Sequence, residues 1–391
     1  MRAANSVFSG LGTTIFTVMS TLAAEHGAIN LGQGFPDDEG PDDVRAAAAR
    51  AILDGPNQYP PMMGLPALRQ AVAAANARFY GLDVDWQTEV MVTSGATEAL
   101  SDCLMALLNP GDEAIIIEPA YDCYKPIIEA AGARVVPVPL EPPHWALPLE
   151  RLEAAFSDRT KLIVVNTPMN PTGKVFTKRE LEAIAVLLVR HDAYAVCDEV
   201  YEHLVFSGHR HVPLMTLPGM RERTLRVGSA GKTFSLTGWK VGYVTAPAPL
   251  MATVAKAHQF VTFTTAPALQ SAVAYGLSKP DDYFAGLAAS LESKRDLLTS
   301  GLRHAGLDVL PADGTYFISV DFRSLGFGGT DEEFCRDITV KAKVAAIPLS
   351  AFYTDSTAAP RHLARFCFCK QDAVLTEASA RLLAYAKGGG V

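Results

Sequence analysis

Between about Asp42 and Ser278, short apolar runs alternate with segments of helical periodicity, and this alternation constrains the fold more than any other feature. The runs Val90–Thr93, Ala114–Ile117, Leu162–Asn166, Tyr194–Cys197, Leu225–Val227 and Val241–Thr245 are rich in Val and Ile. That is the pattern of strands covered on both faces. Glu98–Leu108, stopped by Asn109-Pro110-Gly111, and Lys178–Arg190 read as helices between them. Such alternation predicts an α/β fold with a mostly parallel, doubly wound sheet and helices on both faces. Ligands of these sheets gather beyond the carboxyl ends of the strands, which directs the search for chemistry.

The rhythm changes after Lys279-Pro280-Asp281-Asp282. A helical stretch from Tyr283 to His304 precedes strands near Thr315–Val320, Lys343–Ile347 and Arg365–Cys369, with helices at Asp331–Lys341 and Asp372–Lys387. This is a second, smaller α+β unit. The chain therefore divides into an N-terminal arm with part of the small domain (1–41), a large domain (42–282) and a small C-terminal domain (283–391). The glycine tail Gly388–Gly390 reads as a frayed end.

Composition removes several classes of function. With 49% apolar and 19% charged residues, the chain is globular rather than disordered. A net charge of -8 without a basic stripe opposes nucleic-acid binding, and with it a DNA-binding regulator. The longest apolar run, Ala183–Val189, is far short of the ~20 residues of a spanning helix. Arg2 and the stretch Ile15–Met19 loosely mimic a secretion signal, but Ser and Thr interrupt it and no second positive charge precedes it. A cytoplasmic location is the expectation. Of Cys103, Cys123, Cys197, Cys335, Cys367 and Cys369, most sit in apolar runs as small hydrophobes. Cys367 and Cys369 share one face of a strand but lack a second Cys or His pair, so no metal site is expected.

Four polar clusters fall at the ends of the expected strands. Thr93-Ser94-Gly95-Ala96-Thr97 offers small residues and a helix start to an anion. Alone, it reads as an ordinary N-cap by Ser94 or Thr97. Asn166-Thr167-Pro168-Met169-Asn170-Pro171-Thr172-Gly173 holds the Asn170 amide over the sheet edge, or is simply a turn. Asp198-Glu199-Val200-Tyr201 puts a carboxylate at the end of a buried strand, where it must be paired or lose its charge. Ser229-Ala230-Gly231-Lys232-Thr233 gives an amine room among small residues to lose its proton and act as a nucleophile. A phosphate-binding P-loop fails here, because its first glycine would fall at Arg226.

An anion cradle, an amide, a buried carboxylate and an amine are the groups a pyridoxal phosphate site requires. Their order and spacing resemble the fold-type I, class I/II aminotransferases over essentially the whole chain. Within them the likeness is to the kynurenine, glutamine–phenylpyruvate and methionine aminotransferase branch. It is carried by Asn30–Asp37, Asn57–Pro60, Glu118–Tyr124, Gly228–Thr233, Gly314–Phe317 and Arg365–Phe368. The resemblance implies an aspartate aminotransferase-like fold with a seven-stranded sheet. It also implies pyridoxal 5'-phosphate as cofactor, and a ping-pong Schiff-base transfer of an amino group from an α-amino acid to a 2-oxo acid.

Carried over residue by residue, Lys232 would hold the cofactor covalently and move protons, with Asp198 pairing to its pyridine nitrogen. Tyr201 and Asn170 would bond its phenolate oxygen, and Tyr121 would stack on the ring. The phosphate would rest on the N–H groups of Gly95 and Ala96, the Ser229 hydroxyl and Lys240, a point charge where many relatives have the arginine fork. Tyr59 would reach the phosphate of a neighbouring subunit, which implies a homodimer. Arg365 would grip the substrate carboxylate with Asn170 and the backbone of Gly34, and Phe16 would line the side-chain pocket. Aspartate-specialised relatives use a further arginine, but Ala257–Gln270 has none and offers Phe260 and Phe263. Neutral, aromatic or sulfur-containing donors are therefore expected. A cysteine-S-conjugate β-lyase and an aspartate-type aminotransferase are the alternatives.

Overall fold

Runs of β-branched residues flanked by helix caps build the framework, and the computed structural model describes residues 2 and 4–388. Gly389 and Gly390 of the tail lie outside the described residues. A helix at Ile15–Glu25, capped by the Thr14 hydroxyl, leads into the short strand β1 (Ile29–Asn30). Seven strands then form the central sheet: β2 (Val90–Thr93), β3 (Glu113–Glu118), β4 (Arg134–Pro139), β5 (Thr160–Asn166), β6 (Tyr194–Asp198), β7 (Thr224–Ser229) and β8 (Gly242–Thr245). Their spatial order is β2-β8-β7-β6-β5-β3-β4. Only β8 runs against its neighbours. Strands β4, β3, β5, β6 and β7 pair in parallel. The strands β2, β5, β6 and β7 therefore all point one way, and Thr93, Asn166, Asp198 and Ser229 end on one edge.

Helices enforce this arrangement. Ala96–Leu107 crosses β2, β6, β7 and β8, and Lys178–Arg190 starts from a reciprocal Thr177–Glu180 capping box. Ile115, Ile116 and Ile117 are wholly buried between the layers, each contributing roughly 1.5–3 kcal/mol. No disulfide assists, since all six cysteines are free.

The small unit follows as β9 (Asp308–Val309), β10 (Phe317–Asp321), β11 (Val344–Ala345), β12 (Ile347–Pro348) and β13 (Leu363–Cys367). Four of these make an antiparallel sheet in the order β12-β13-β10-β9, backed by the helices Asp281–His304 and Asp372–Ala386, which pack on each other. The arm joins this unit, because β1 pairs in parallel with β11. Two expectations need correction, and one strand is not among those expected. Lys343–Ile347 is two strands, with Ala346 carrying the chain from one sheet to the other. The β10 strand starts only at Phe317, since Thr315 has a φ of 67°. Edge strand β4 escapes a reading from sequence because Pro137 and Pro139 cannot donate to a ladder. Among the described residues, no helix is long and apolar enough to cross a membrane.

Candidate active site

A cavity of about 380 Å³ opens where the four strand ends face the small unit. Lys232 enters it from the one-turn helix Ala230–Thr233 that follows β7. Its Nζ donates to the Tyr316 hydroxyl at 2.9 Å and lies over the rings of Tyr201 and Tyr316. The Tyr316 hydroxyl passes its own proton to the carbonyl of Gly34 at 2.8 Å. Desolvation lowers the Lys232 pKa from the usual lysine range. A lysine so placed is a nucleophile and a base.

Asp198, the last residue of β6, projects into the same cavity. Its Oδ2 accepts from the Tyr124 hydroxyl at 2.5 Å, and its Oδ1 accepts from the Val200 N–H at 3.4 Å. Burial raises its pKa against the pull of Tyr124, Val200 and Lys232. A carboxylate held this way favours a protonated nitrogen as partner. Tyr124 carries no role in the sequence reading, although it closes the Glu118–Tyr124 segment. Tyr316 was likewise quoted there without a role.

Arg365 lies in β13 opposite Ser319 of β10 and Ile347 of β12, and is only 1% exposed. Its Nη1 donates to Asn170 Oδ1 at 2.9 Å and its Nη2 to the Gly32 carbonyl at 2.5 Å. Its Nε has no partner among the described residues. The guanidinium lies over Phe317, Phe352 and Phe16, and burial brings its pKa down to about 10. Asn170 is positioned by Asn166, whose Oδ1 takes the Asn170 N–H at 2.8 Å. Asn166 in turn donates to the Asp198 carbonyl at 2.9 Å, so the ends of β5 and β6 are tied together. A Cβ at Gly34 would stand 2.4 Å from the Phe317 ring, which explains a glycine at the cavity wall.

The anion cradle lies at the end of β2. Gly95, Ala96, Ser229 and Lys240 all line the cavity. Gly95 differs from its expected role, because its N–H is already donated to the Thr93 carbonyl at 2.8 Å. The N–H groups left at this helix start are those of Ala96 and Thr97. The Lys240 side chain rests against Gly95, whose φ is 86°; a Cβ there would be 3.1 Å from Lys240 Nζ. Lys240 itself holds a φ of 52°, a strained conformation of the kind that collects at functional sites.

Behind the cradle, Glu98 accepts the Ser94 N–H and bonds His258 Nδ1 at 2.7 Å, while His258 Nε2 reaches the Met62 carbonyl at 3.0 Å. Burial opposes protonation of His258, but Asp102 and Glu98 together raise its pKa to about 9.

Tyr121, Tyr201 and Phe16 also line the cavity. Tyr59 does not. It is 83% exposed, edge-on to Phe263 at 5.6 Å. The groups that line the cavity are complementary to pyridoxal phosphate. A helix start, a hydroxyl and an ammonium suit its phosphate, Asp198 suits its ring nitrogen, and Lys232 suits its carbonyl carbon.

Comparison with known proteins agrees. The family model "Aminotransferase class I and II" matches residues 26–382. The probable N-succinyldiaminopimelate aminotransferase of Mycobacterium tuberculosis is 45% identical over 379 residues, 95% of each chain. Its solved counterpart superposes with a TM-score of 0.94 over 98% of this chain and 100% of that one. The methionine aminotransferase of Escherichia coli is 42% identical, covering 95% of this chain and 96% of its own, and a solved structure gives a TM-score of 0.94. Mouse kynurenine–oxoglutarate transaminase 3 is 41% identical over 94% of this chain and 87% of its own. Fold, cavity chemistry and these matches converge: the chain belongs to the class I and II aminotransferases, pyridoxal phosphate-dependent enzymes of the aspartate aminotransferase-like α/β fold.

Proposed function

We propose that this aminotransferase acts on α-amino acids with large neutral, aromatic or sulfur-containing side chains, as a cytoplasmic homodimer. One observation carries the substrate reading: the cations lining the cavity are Lys232, Lys240 and Arg365. The first attaches the cofactor, the second meets its phosphate and the third meets the substrate α-carboxylate. None remains for a side-chain carboxylate, whose unpaired burial costs several kcal/mol. Phe16 and Tyr121 instead offer an apolar wall.

When bound, pyridoxal phosphate supplies an electron sink that lets an amino group pass between an amino acid and a 2-oxo acid. The chain supplies the rest. Asp198 holds a proton on the ring nitrogen, and Tyr124 fixes the orientation of that carboxylate. Asn170 and Tyr201, both lining the cavity, would hold the ring's phenolic oxygen. Arg365 uses its free Nε, with Nη1 shared by Asn170, to orient the α-carboxylate. Lys232, as the free amine, takes the proton from the substrate Cα, and its lowered pKa keeps a basic lone pair available.

Exposed aromatic and aliphatic side chains support the dimer. Leu53, Tyr59 and Phe260 are each more than 80% exposed. A partner covering them would bring Tyr59 toward the partner's cradle.

The test is a donor screen with 2-oxo acid acceptors, monitoring the cofactor's absorption. Methionine, glutamine, kynurenine and aromatic donors are expected to outrun aspartate by at least about tenfold in kcat/KM. Faster turnover of aspartate would overturn the substrate reading, and pyruvate release from cysteine conjugates in place of transfer would favour the β-lyase.

One observation favours a second substrate. An adjoining cavity of about 430 Å³ shares Phe16, Tyr121 and Asp122 with the first and includes Lys125. A long donor with a distal anionic group fits this space, and the mycobacterial relative is named for N-succinyldiaminopimelate. The same screen, with N-succinyldiaminopimelate added, ranks the two.

A further inference from the structure

The structure assigns a second chemical site to Cys367 and Cys369: a dithiol that hydrogen peroxide closes to a disulfide, loosening the hold of Arg365 on carboxylate substrates. The assignment rests on the reading of Arg365 as the carboxylate anchor. Its geometry is independent of that reading.

The two sulfurs lie 3.1 Å apart. Cys367 closes β13 and Cys369 lies two residues beyond it, so their Cα atoms are at most about 7 Å apart, at the upper limit of what a disulfide spans. Little movement is needed to bring the sulfurs to a bond of about 2.05 Å. Cys103, Cys197 and Cys335 are buried without a sulfur neighbour among the described contacts.

Access comes from one side. Cys369 lines a cavity of about 30 Å³ together with Lys232, Tyr316 and Ser235. That space holds one or two molecules the size of water, which is room for peroxide. Cys367 has no exposed surface and sits behind its neighbour. Cations surround the pair, with Arg365 two residues before Cys367 and Lys370 immediately after Cys369. Burial holds the Cys369 thiol well above its usual pKa while Lys370 and Lys232 oppose that rise, so attack proceeds through a small thiolate fraction.

The chemistry balances. The Cys369 sulfur gives up its proton and attacks one peroxide oxygen; the O–O bond breaks, leaving a sulfenic acid on Cys369 and hydroxide, which takes up that proton as water. The Cys367 sulfur then displaces the sulfenic hydroxyl, which leaves as a second water with the Cys367 proton, and the S–S bond forms. Two electrons pass from sulfur to oxygen. A thiol reductant reverses it.

The consequence follows from the backbone. The Cys367 N–H donates to the Leu31 carbonyl at 2.7 Å and the Phe368 N–H to the Tyr316 carbonyl at 2.9 Å. The Cys369 carbonyl accepts from Asp37. These bonds hold the Gly32–Gly34 wall and the Tyr316 hydroxyl that receives Lys232. Contraction across Cys367–Cys369 shifts the wall against which Arg365 is set, and misplacements of about 1 Å can cost up to about a hundredfold in rate.

The experiment treats the cofactor-loaded enzyme with hydrogen peroxide, blocks remaining thiols and digests with trypsin. Cleavage after Arg365 and Lys370 releases both sulfurs in one peptide, Phe366–Lys370. The expected peptide is lighter by two hydrogen atoms and unblocked. KM for both amino acid and 2-oxo acid should rise about tenfold and recover with dithiothreitol. Cys369→Ala should keep the reduced KM and lose the response. A peptide that gains oxygen without linkage, linkage with unchanged KM, or an equally sensitive Cys369→Ala enzyme would each overturn the proposal. Failure of the anchor reading shows separately, as a reduced enzyme whose KM does not change on Arg365→Lys while the peptide still links.

Discussion

Asp198 and Glu199 are neighbours at the end of one strand, both buried, and they meet opposite fates. Glu199 accepts Arg226 Nε at 2.6 Å and bonds His211 Nε2 at 3.0 Å. Arg226 also reaches Glu202 and Asn76 and stacks on Tyr80. Burial pushes the Glu199 carboxyl up, but Arg226 and His211 hold its pKa below the usual range. Asp198 has only a phenol and a backbone amide, and its pKa is raised. On one side of the sheet, Arg226 bridges Glu199 and Glu202. On the other, the cavity holds three cations, Lys232, Lys240 and Arg365, against the carboxylates Asp198 and Asp122. The excess of positive charge matches a ligand pair that brings a phosphate and a carboxylate. A carboxylate bridged by an arginine marks architecture here, and a carboxylate held by a phenol and an amide marks the cavity.

Three perturbations test this contrast. Lys232→Ala should lower transamination by at least about 10³-fold with little change in the melting temperature, because Asp198 keeps its bonds from Tyr124 and Val200 when the amine is lost. A steep fall in melting temperature would put the cavity in the structural class. Arg226→Met should do the reverse, costing about 3–5 kcal/mol of stability as Glu199 and Glu202 are stranded, with kcat/KM of the folded fraction unchanged. Denaturant unfolding paired with active-site titration reads both. The smallest effect concerns His258. Its folded pKa of about 9 exceeds the unfolded value, so its stabilisation is complete below about pH 6.5 and is lost as pH rises through about 9. Melting curves between about pH 6 and pH 10 should therefore fall further for the native enzyme than for His258→Gln.

Legibility in the sequence followed the range of the interactions. Central strands announce themselves because burial on both faces demands unbroken Val and Ile, as in Leu162–Asn166. Edge strand β4 does not, because its second edge is free to carry prolines. The short run around Ala346 reads as one strand because nothing local tells that its halves enter different sheets. Lys232, Asp198 and Arg365 stand out by residue type and position at strand ends. Tyr124 does not, since its partner Asp198 lies 74 residues away and no spacing rule links them. The diverted N–H of Gly95 is equally silent, being a property of a turn's backbone rather than of any side chain. Period-two spacing puts Cys367 and Cys369 on one face, but the distance between their sulfurs emerges only from the packed strand.

The pairing of β1 with β11 bears on how the molecule is made on the ribosome. Synthesis at about 5–20 residues per second lets contiguous units fold first. The central sheet lies wholly within 90–245 and needs nothing downstream to pair its strands. The N-terminal arm emerges before it but must wait for strands near the end of the chain, and Gly32 meets Arg365 across 333 residues. A nascent chain thus carries a finished cofactor floor beneath an undocked leading segment until translation is nearly over. If Arg365 is the anchor proposed above, substrate recognition is the last property the polypeptide acquires, and a message truncated before it encodes a cavity floor without that arginine.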